Sequence, residues 1–193
     1  MDTTDDPLSI VTGGSGGIGS EIVKILESRG DTVFSVTRHE RGPSQINADL
    51  SSDSGCRHLA DVLGNQKIDN LIFSHRYRGD NPQQDFNLSF NAVARAVNHL
   101  ESHFSSQGSI VLLSSIAARH VLDEQDFMYH GTRAALEGLT RFLAVQLGPN
   151  GIRCNCILPT TLIKHSNKQF FTKDNPVRQL IEEITPLSRM GDA

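Results

Sequence analysis

A glycine-rich run between an apolar segment and a helical pattern constrains the fold of this chain more than any other feature. Residues 8–12 read Leu-Ser-Ile-Val-Thr, and residues 13–17 read Gly-Gly-Ser-Gly-Gly. Apolar residues then recur at helical spacing at Ile18, Ile22, Ile25 and Leu26, and Gly30 ends the pattern. A strand, a tight turn and a helix over 17–29 are therefore predicted. Such a turn brings backbone amides close to a phosphate, although turns also collect glycine for geometric reasons alone.

Length and composition limit the function classes. The 193 residues can bury a real core, and we expect one domain over 1–193. A net charge of -4 without a long basic run argues against a nucleic-acid partner. No apolar stretch reaches the length of about 18 residues that a membrane span needs, and the acidic start, residues 1–6, does not resemble a signal peptide. We therefore expect a cytoplasmic protein without a membrane partner.

Segments of strand and helix character alternate along the chain. Strands are predicted at 8–12, 32–37, 45–48, 68–74, 109–114 and 152–158. Helices are predicted at 17–29, 53–64, 87–105 and 129–147. Such alternation predicts an α/β protein with a parallel sheet, whose ligands bind beyond the carboxyl ends of the strands. Cys154 and Cys156 alternate along the last strand and are expected to be buried there, so no metal site is predicted.

Several of these segments, taken in order, resemble the short-chain dehydrogenases/reductases over nearly the whole chain. Thr12-Gly13 followed by Gly17-Ile18-Gly19 is similar to that family's cofactor turn, and Asn87-Leu88 to its helix asparagine. Residues 108–115 resemble the strand that ends at the active-site serine, and residues 129–147 with 151–155 resemble its most typical helix and strand. The resemblance implies a Rossmann-type doubly wound parallel sheet with helices on both faces. Because the chain stops at Ala193, the family's last helix and strand are expected to be absent, through truncation or loss.

The resemblance also implies a catalytic set for hydride transfer between a nicotinamide ring and a carbonyl or alcohol carbon. Tyr129 would be the acid/base residue, Ser115 would hold the substrate oxygen, and Asn87 would order the relay behind the site. Arg133 stands where the family pattern has lysine, one helical turn after Tyr129. A guanidinium keeps the positive charge but cannot pass a proton as an ammonium does, so low activity is expected.

The same resemblance implies the cofactor contacts. They fall on Gly13, Ser15, Gly16, Gly17, Ile18, Gly19, Thr37, Arg38, Asp49, Leu50, Ser74, Tyr129, Arg133, Pro159 and Leu162. The second strand ends at Thr37-Arg38 and not at an acidic residue, so NADP(H) is favoured over NAD(H), because an arginine suits the 2′-phosphate. A solvated surface arginine is the alternative at that position.

Two further segments depart from the family pattern. Residues 71–79 read Leu-Ile-Phe-Ser-His-Arg-Tyr-Arg-Gly where the family has small residues. Arg76 and Arg78 could bind an anionic group there, or they could pair with Asp80 or Asp85 in a solvated loop. Residues 161–185 are long and polar enough for a substrate lid, with Lys164 where the family commonly has a threonine, and a short helix is expected at 179–184.

The sequence thus predicts an NADP(H)-preferring oxidoreductase that acts on a small carbonyl or alcohol substrate. A dimer or tetramer through the helices 87–105 and 129–147 is expected. The alternative is a catalytically impaired relative that binds a nucleotide as a sensor or scaffold, since residues 71–79 and Arg133 both depart from the pattern.

Overall fold

A six-stranded parallel sheet organises the protein, which confirms the predicted fold class. The computed structural model describes residues 6–38 and 42–193; residues 1–5 of the acidic start and residues 39–41 lie outside the described part. The strands are β1 (Leu8–Thr12), β2 (Thr32–Thr37), β3 (Gln45–Asn47), β4 (Ile68–Phe73), β5 (Phe104–Leu113) and β6 (Arg153–Ile157). Their order is β3-β2-β1-β4-β5-β6, so the winding reverses between β1 and β4. In an open parallel sheet a ligand site is expected at such a reversal.

Helices connect the strands and cover both faces of the sheet. They are α1 (Gly17–Arg29), α2 (Asp53–Leu63), α3 (Pro82–Phe86), a π-helix (Asn87–Asn91), α4 (Ala92–Leu100), α5 (Phe127–Leu147) and α6 (Pro176–Ile184). Short 3-10 turns lie at Glu101–His103, Ile116–Ala118, Gly148–Asn150 and His165–Asn167. The prediction for β1 and α1 is confirmed to the residue, because Gly30 adopts a φ of 98° and ends the helix with left-handed backbone.

The helix predicted at 87–105 is wrong at both ends. Helical structure already begins at Pro82, because Asn81 accepts a hydrogen bond from the Gln84 amide at 3.1 Å and proline suits the first helical position. Residues 104 and 105 belong to β5, in which Phe104 pairs with Ile68. The connection after β4 therefore keeps one turn of helix that the sequence prediction left out.

Two apolar clusters hold the helices against the sheet. The larger cluster joins one sheet face to α2, α4 and α5 through fully buried residues such as Leu59, Leu100 and Leu147. The smaller one joins α1 to the opposite face and includes Leu26 with the partly buried Ile22 and Val23. Ile25, predicted on the buried face of α1, is 64% exposed, because that face is centred on Ile22 and Leu26 and turns toward Val23.

The segment after β6 forms a small structure of its own. Two short strands, β7 (Leu162–Ile163) and β8 (Gly191–Asp192), pair in parallel outside the main sheet. Helix α6 begins at Pro176 and not at residue 179, because the Asn175 side chain accepts a hydrogen bond from the Arg178 amide at 3.0 Å. Within residues 6–38 and 42–193, no strand extends the main sheet beyond β6. No helix in that part of the chain is both long and apolar enough to cross a membrane.

Candidate active site

The turn between β1 and α1 leaves an open cradle at the helix N-terminus. Gly16 is the N-cap of α1, and no side chain caps the helix there. A Cβ added to Gly16 would meet no protein atom within 4 Å, so the space above the turn is open. Gly17 has a φ of +58°, a conformation that suits glycine. The first amides of α1 therefore point into space that an anion can fill.

This uncapped start distinguishes α1 from the other helices that begin after a loop. The N-caps of α2, α3, α5 and α6 each accept a hydrogen bond from a first-turn amide; they are Ser52, Asn81, Asp126 and Asn175. The first turn of α1 also contains no acidic residue. A bound phosphate would supply the hydrogen-bond acceptor that no side chain provides for the first-turn amides of α1.

The cradle opens into a pocket of about 550 Å³ beyond the carboxyl ends of β1, β2 and β4. Nine residues of the predicted cofactor set line it: Gly13, Ser15, Gly16, Gly17, Thr37, Arg38, Asp49, Leu50 and Ser74. Arg38 is exposed at the end of β2. Asp49 accepts hydrogen bonds from the Ser51 amide at 3.0 Å and from the Ser51 hydroxyl at 2.7 Å, which fixes its carboxylate. We call the part around Gly16, Arg38 and Asp49 the glycine end.

Six other residues predicted to contact the cofactor do not line this pocket, and two of them, Tyr129 and Arg133, are described below. The side chain of Ile18 packs against the smaller apolar cluster, and Gly19 is buried under the carbonyl of Gly13, where any Cβ would collide. The carbonyl oxygen of Pro159 accepts a hydrogen bond from the Ile116 amide at 3.1 Å. Leu162 lies in β7, opposite Gly191. From residues 161–185, Ser166 lines the pocket instead.

A half-buried histidine ties β1 and the end of β4 together at the reversal of the sheet. His75 Nδ1 lies 2.6 Å from the Thr12 hydroxyl, and His75 Nε2 lies 2.9 Å from the carbonyl oxygen of Leu88 in the π-helix. Because the carbonyl can only accept, Nε2 carries the proton and Nδ1 accepts from Thr12. Burial lowers the pKa of His75 to about 4, so the ring is neutral near pH 7. The position where the family has a small residue is therefore filled by a neutral side chain that crosslinks three segments.

Two guanidinium groups lie close to the ring of Tyr129. Asp126 caps α5 by accepting from the Tyr129 amide at 2.7 Å, which puts Tyr129 in the first turn and Arg133 one turn later on the same face. Arg133 Cζ lies 5.0 Å from the centroid of the Tyr129 ring, and Arg76 Cζ lies 5.8 Å from it. Arg76 also lines the pocket, so it connects the pocket to Tyr129. We call the group of His75, Arg76, Tyr129 and Arg133 the tyrosine end.

Arg133 is 2% exposed, yet most of its guanidinium is unsatisfied. Its Nη1 donates to the carbonyl oxygen of Leu113 at 3.2 Å, whereas Nε and Nη2 have no hydrogen-bond partner within the described part of the chain. Burial lowers the pKa of Arg133, and Tyr129 and Asp85 oppose that shift. A buried guanidinium with two unpaired nitrogens is costly, which points to a ligand with acceptor oxygens.

Ser115 and Asn87 lie on the segments that the sequence predicted. Ser115 is buried after β5, and its hydroxyl oxygen accepts from the Ala117 amide at 3.2 Å, which leaves its hydrogen free to donate. The neighbouring Ser114 hydroxyl donates to the Arg133 carbonyl at 2.7 Å and anchors α5 to β5. Asn87 is half-buried at the first position of the π-helix. None of Asn87, Ser115, Tyr129 and Arg133 lines the pocket directly.

Sequence reasoning missed several residues that line the pocket. They are Thr12, Val36, Ala48, Leu88 and Ser166. Thr12 and Ala48 each stand next to a predicted contact, so the carboxyl ends of the strands already carried that signal. The positions of Leu88 and Ser166 depend on how the π-helix and residues 161–185 pack against the sheet, for which the local sequence has no signal. Among the described residues, no three His, Cys, Asp or Glu side chains are grouped to hold a metal ion.

Comparison with known proteins agrees with this architecture. Residues 74–193, more than half of the chain, match the family described as Enoyl-(Acyl carrier protein) reductase. The chain belongs to the short-chain dehydrogenase/reductase family. L-xylulose reductase of Bos taurus is 26% identical over 204 residues, which cover 95% of this chain and 83% of that protein.

Solved structures of short-chain dehydrogenases/reductases superpose on nearly the whole chain. RhlG of Pseudomonas aeruginosa, in an NADP active-site complex, is 26% identical with a TM-score of 0.79, covering 97% of this chain and 84% of that one. Ligand-free aldohexose dehydrogenase of Thermoplasma acidophilum is 20% identical with a TM-score of 0.81, covering 97% and 82%, and shares the fold. The protein is therefore an oxidoreductase of this family by sequence and by fold.

Proposed function

We propose that this protein is an NADP(H)-preferring oxidoreductase that moves a hydride between the nicotinamide and a carbonyl or alcohol carbon. The observation that carries the cofactor preference is Arg38, which lines the pocket at the end of β2 together with the open cradle at Gly16. A guanidinium there can hold a 2′-phosphate in bidentate fashion, whereas an acidic residue would repel it. Asp49, with its carboxylate fixed by Ser51, can accept from the adenine amine.

The residues of the tyrosine end suit the second half of the dinucleotide. The unpaired Nε and Nη2 of Arg133 would donate to the hydroxyls of the nicotinamide ribose. Since a guanidinium keeps its proton, Arg133 would orient the ribose without relaying protons. When bound, the nicotinamide ring supplies or accepts the hydride.

The protein would supply the proton and hold the substrate oxygen. Ser115 has a hydroxyl hydrogen free to donate to that oxygen, because its own oxygen already accepts from Ala117. Tyr129 would transfer the proton to the same oxygen in reduction and remove it in oxidation. Asn87, at the start of the π-helix, would order the proton relay behind them.

Calorimetric titration with NADPH, NADP, NADH and NAD tests the cofactor proposal. We expect the phosphorylated pair to bind at least about tenfold tighter than the other pair, and Arg38→Asp to remove that difference. Arg153→Ala changes an exposed arginine at the opposite edge of the sheet and serves as the matched control. Equal binding of all four dinucleotides would contradict the preference, and binding without turnover of any ketone or aldehyde would favour a nucleotide-binding sensor or scaffold.

We also propose that the protein assembles as a homodimer or tetramer through two helical segments, the π-helix with α4 and helix α5. Support comes from α5, on which Phe142 and Val145 are 63% and 79% exposed. Large apolar side chains so exposed on one helix are typical of an interface. Sedimentation velocity should show a monomer for Phe142→Asp and a larger species for the unmodified protein.

A further inference from the structure

Three cationic side chains, Arg76, Arg78 and Lys164, lie around the region between the cradle and Tyr129. Arg76 and Arg78 follow β4 and line the pocket, and Lys164 follows β7. Lys164 Cδ lies 3.9 Å from the point that a Cβ on Gly17 would occupy. Gly17 lines the same pocket as Arg76 and Arg78, so the three cations lie around one region. Burial lowers the pKa of the Lys164 ammonium, and the charges of Arg76 and Arg78 lower it further.

The pairing that would make this region an ordinary solvated loop is not observed. Within residues 6–38 and 42–193, no ion pair joins Arg76, Arg78 or Lys164 to a carboxylate within 4.0 Å. Asp85 is buried and accepts from the Ser89 hydroxyl at 2.5 Å instead. Like charges around one pocket repel one another, so an anion bound among them would be stabilised.

The position of Arg76 indicates which anion is involved. Its guanidinium lies 5.8 Å from the centroid of the Tyr129 ring, on the side of the pocket where the reacting carbonyl would bind. Arg38 follows β2, which β1 separates from β4 in the sheet, and is the arginine proposed for the 2′-phosphate. A carboxylate or phosphate on the molecule that contacts Tyr129 is thus within the range of Arg76.

We propose that Arg76 and Arg78, with Lys164 nearby, form a subsite for a carboxylate or phosphate group carried by the substrate. The subsite rests on the proposed function, since it assumes that the substrate binds at Tyr129. The planar fork of each guanidinium matches two oxygens of either anion. The preferred substrates are then oxo acids or phosphorylated ketones rather than neutral ketones.

Binding to the NADP-saturated protein tests the subsite without turnover, because oxidised cofactor cannot reduce a ketone. The probes are pyruvate, acetoacetate and levulinate, each beside its methyl ester, and dihydroxyacetone phosphate beside dihydroxyacetone. We expect at least one anion to bind about tenfold or more tightly than its neutral partner. Arg76→Ala and Arg78→Ala should each bring that ratio close to one, and Arg153→Ala should leave it unchanged.

The other results separate the subsite from the cofactor site. Equal affinity within every pair in the unmodified protein would overturn the subsite. A loss of NADP affinity of about tenfold or more in Arg76→Ala, with the ratio intact, would assign the cluster to the cofactor phosphates instead. If neither NADP nor NADPH binds, the proposed function fails. The same pairs of compounds are then titrated into the free protein. Equal affinities there overturn the subsite, whereas a preference for the anion that depends on Arg76 and Arg78 supports it.

Discussion

The glycine end and the tyrosine end of the site are built in opposite ways. At the glycine end the protein leaves out side chains: Gly16 faces open space, and α1 has no capping side chain. At the tyrosine end it adds them: His75 fills a position where the family has a small residue, and the buried Arg133 has two unpaired nitrogens. The first end offers backbone amides to an anion, whereas the second holds side-chain donors ready at some cost in folding free energy.

The largest expected effect is at the tyrosine end, in Tyr129→Phe. Turnover should fall by about a thousandfold because the proton donor is lost, while NADPH affinity changes by less than about threefold. Stopped-flow assays and calorimetry measure the two quantities. Tyr77→Phe makes the same change at the other tyrosine, whose hydroxyl is bonded to Gln84, and should cost far less. Unchanged turnover in Tyr129→Phe would remove Tyr129 from the catalytic set.

The second-largest expected effect is the contribution of His75 to the pH dependence of the free energy of unfolding. The folded protein keeps this ring neutral down to about pH 4, whereas the unfolded chain takes up the proton near pH 6.5. The stability that the neutral His75 ring contributes is therefore fully present above pH 6.5, and about 3 kcal/mol of it is lost as the pH decreases toward 4.

Urea denaturation across that pH range measures the effect of His75. In His75→Asn the additional fall below pH 6.5 should disappear, even if the variant is less stable throughout. The exposed His58→Asn is the control and should keep it. An identical pH dependence in His75→Asn and the unmodified protein would show that the His75 ring does not control acid stability.

Arg133→Met should have a smaller effect, which weakens NADPH binding and stabilises the free protein. NADPH affinity should fall by about tenfold, because the donors for the ribose are lost. The free energy of unfolding of the free protein should rise by about 1 kcal/mol, because a buried charge with unpaired nitrogens is replaced by an apolar side chain. Calorimetry measures the NADPH affinity, and urea denaturation measures the free energy of unfolding. Arg141→Met, at an exposed position on the same helix, is the control. Lower stability with unchanged NADPH affinity would make Arg133 a purely structural residue.

The smallest effect is expected at the glycine end, in Gly16→Ala. Its Cβ meets no protein atom, so the fold should tolerate it, but the methyl group would project into the cradle. NADPH affinity should fall by about fivefold. Gly131→Ala on α5, where an added Cβ also meets nothing within 4 Å, should leave the affinity unchanged. Equal NADPH binding by both variants would place the phosphates elsewhere.

The two ends also differ in how far the sequence predicts them. β1, α1 and most lining residues of the glycine end follow from local signals, namely the glycine turn and the stop at Gly30. The burial of Arg133 and the crosslink of His75 depend on Leu113 and Leu88, which are distant in sequence, so no local pattern could indicate them. The start of α3 was predictable, because Asn81-Pro82 is a typical helix start.

The central claim is that this pocket delivers a hydride to a substrate held at Tyr129. The most direct measurement uses NADPH with deuterium at both positions of nicotinamide C4, incubated with the oxo acids and phosphorylated ketone above, and mass spectrometry of the products. We predict an alcohol that carries one deuterium on its carbinol carbon, and none when Tyr129→Phe is used. Tight binding of the labelled NADPH with no deuterated alcohol from any of these ketones would contradict the account.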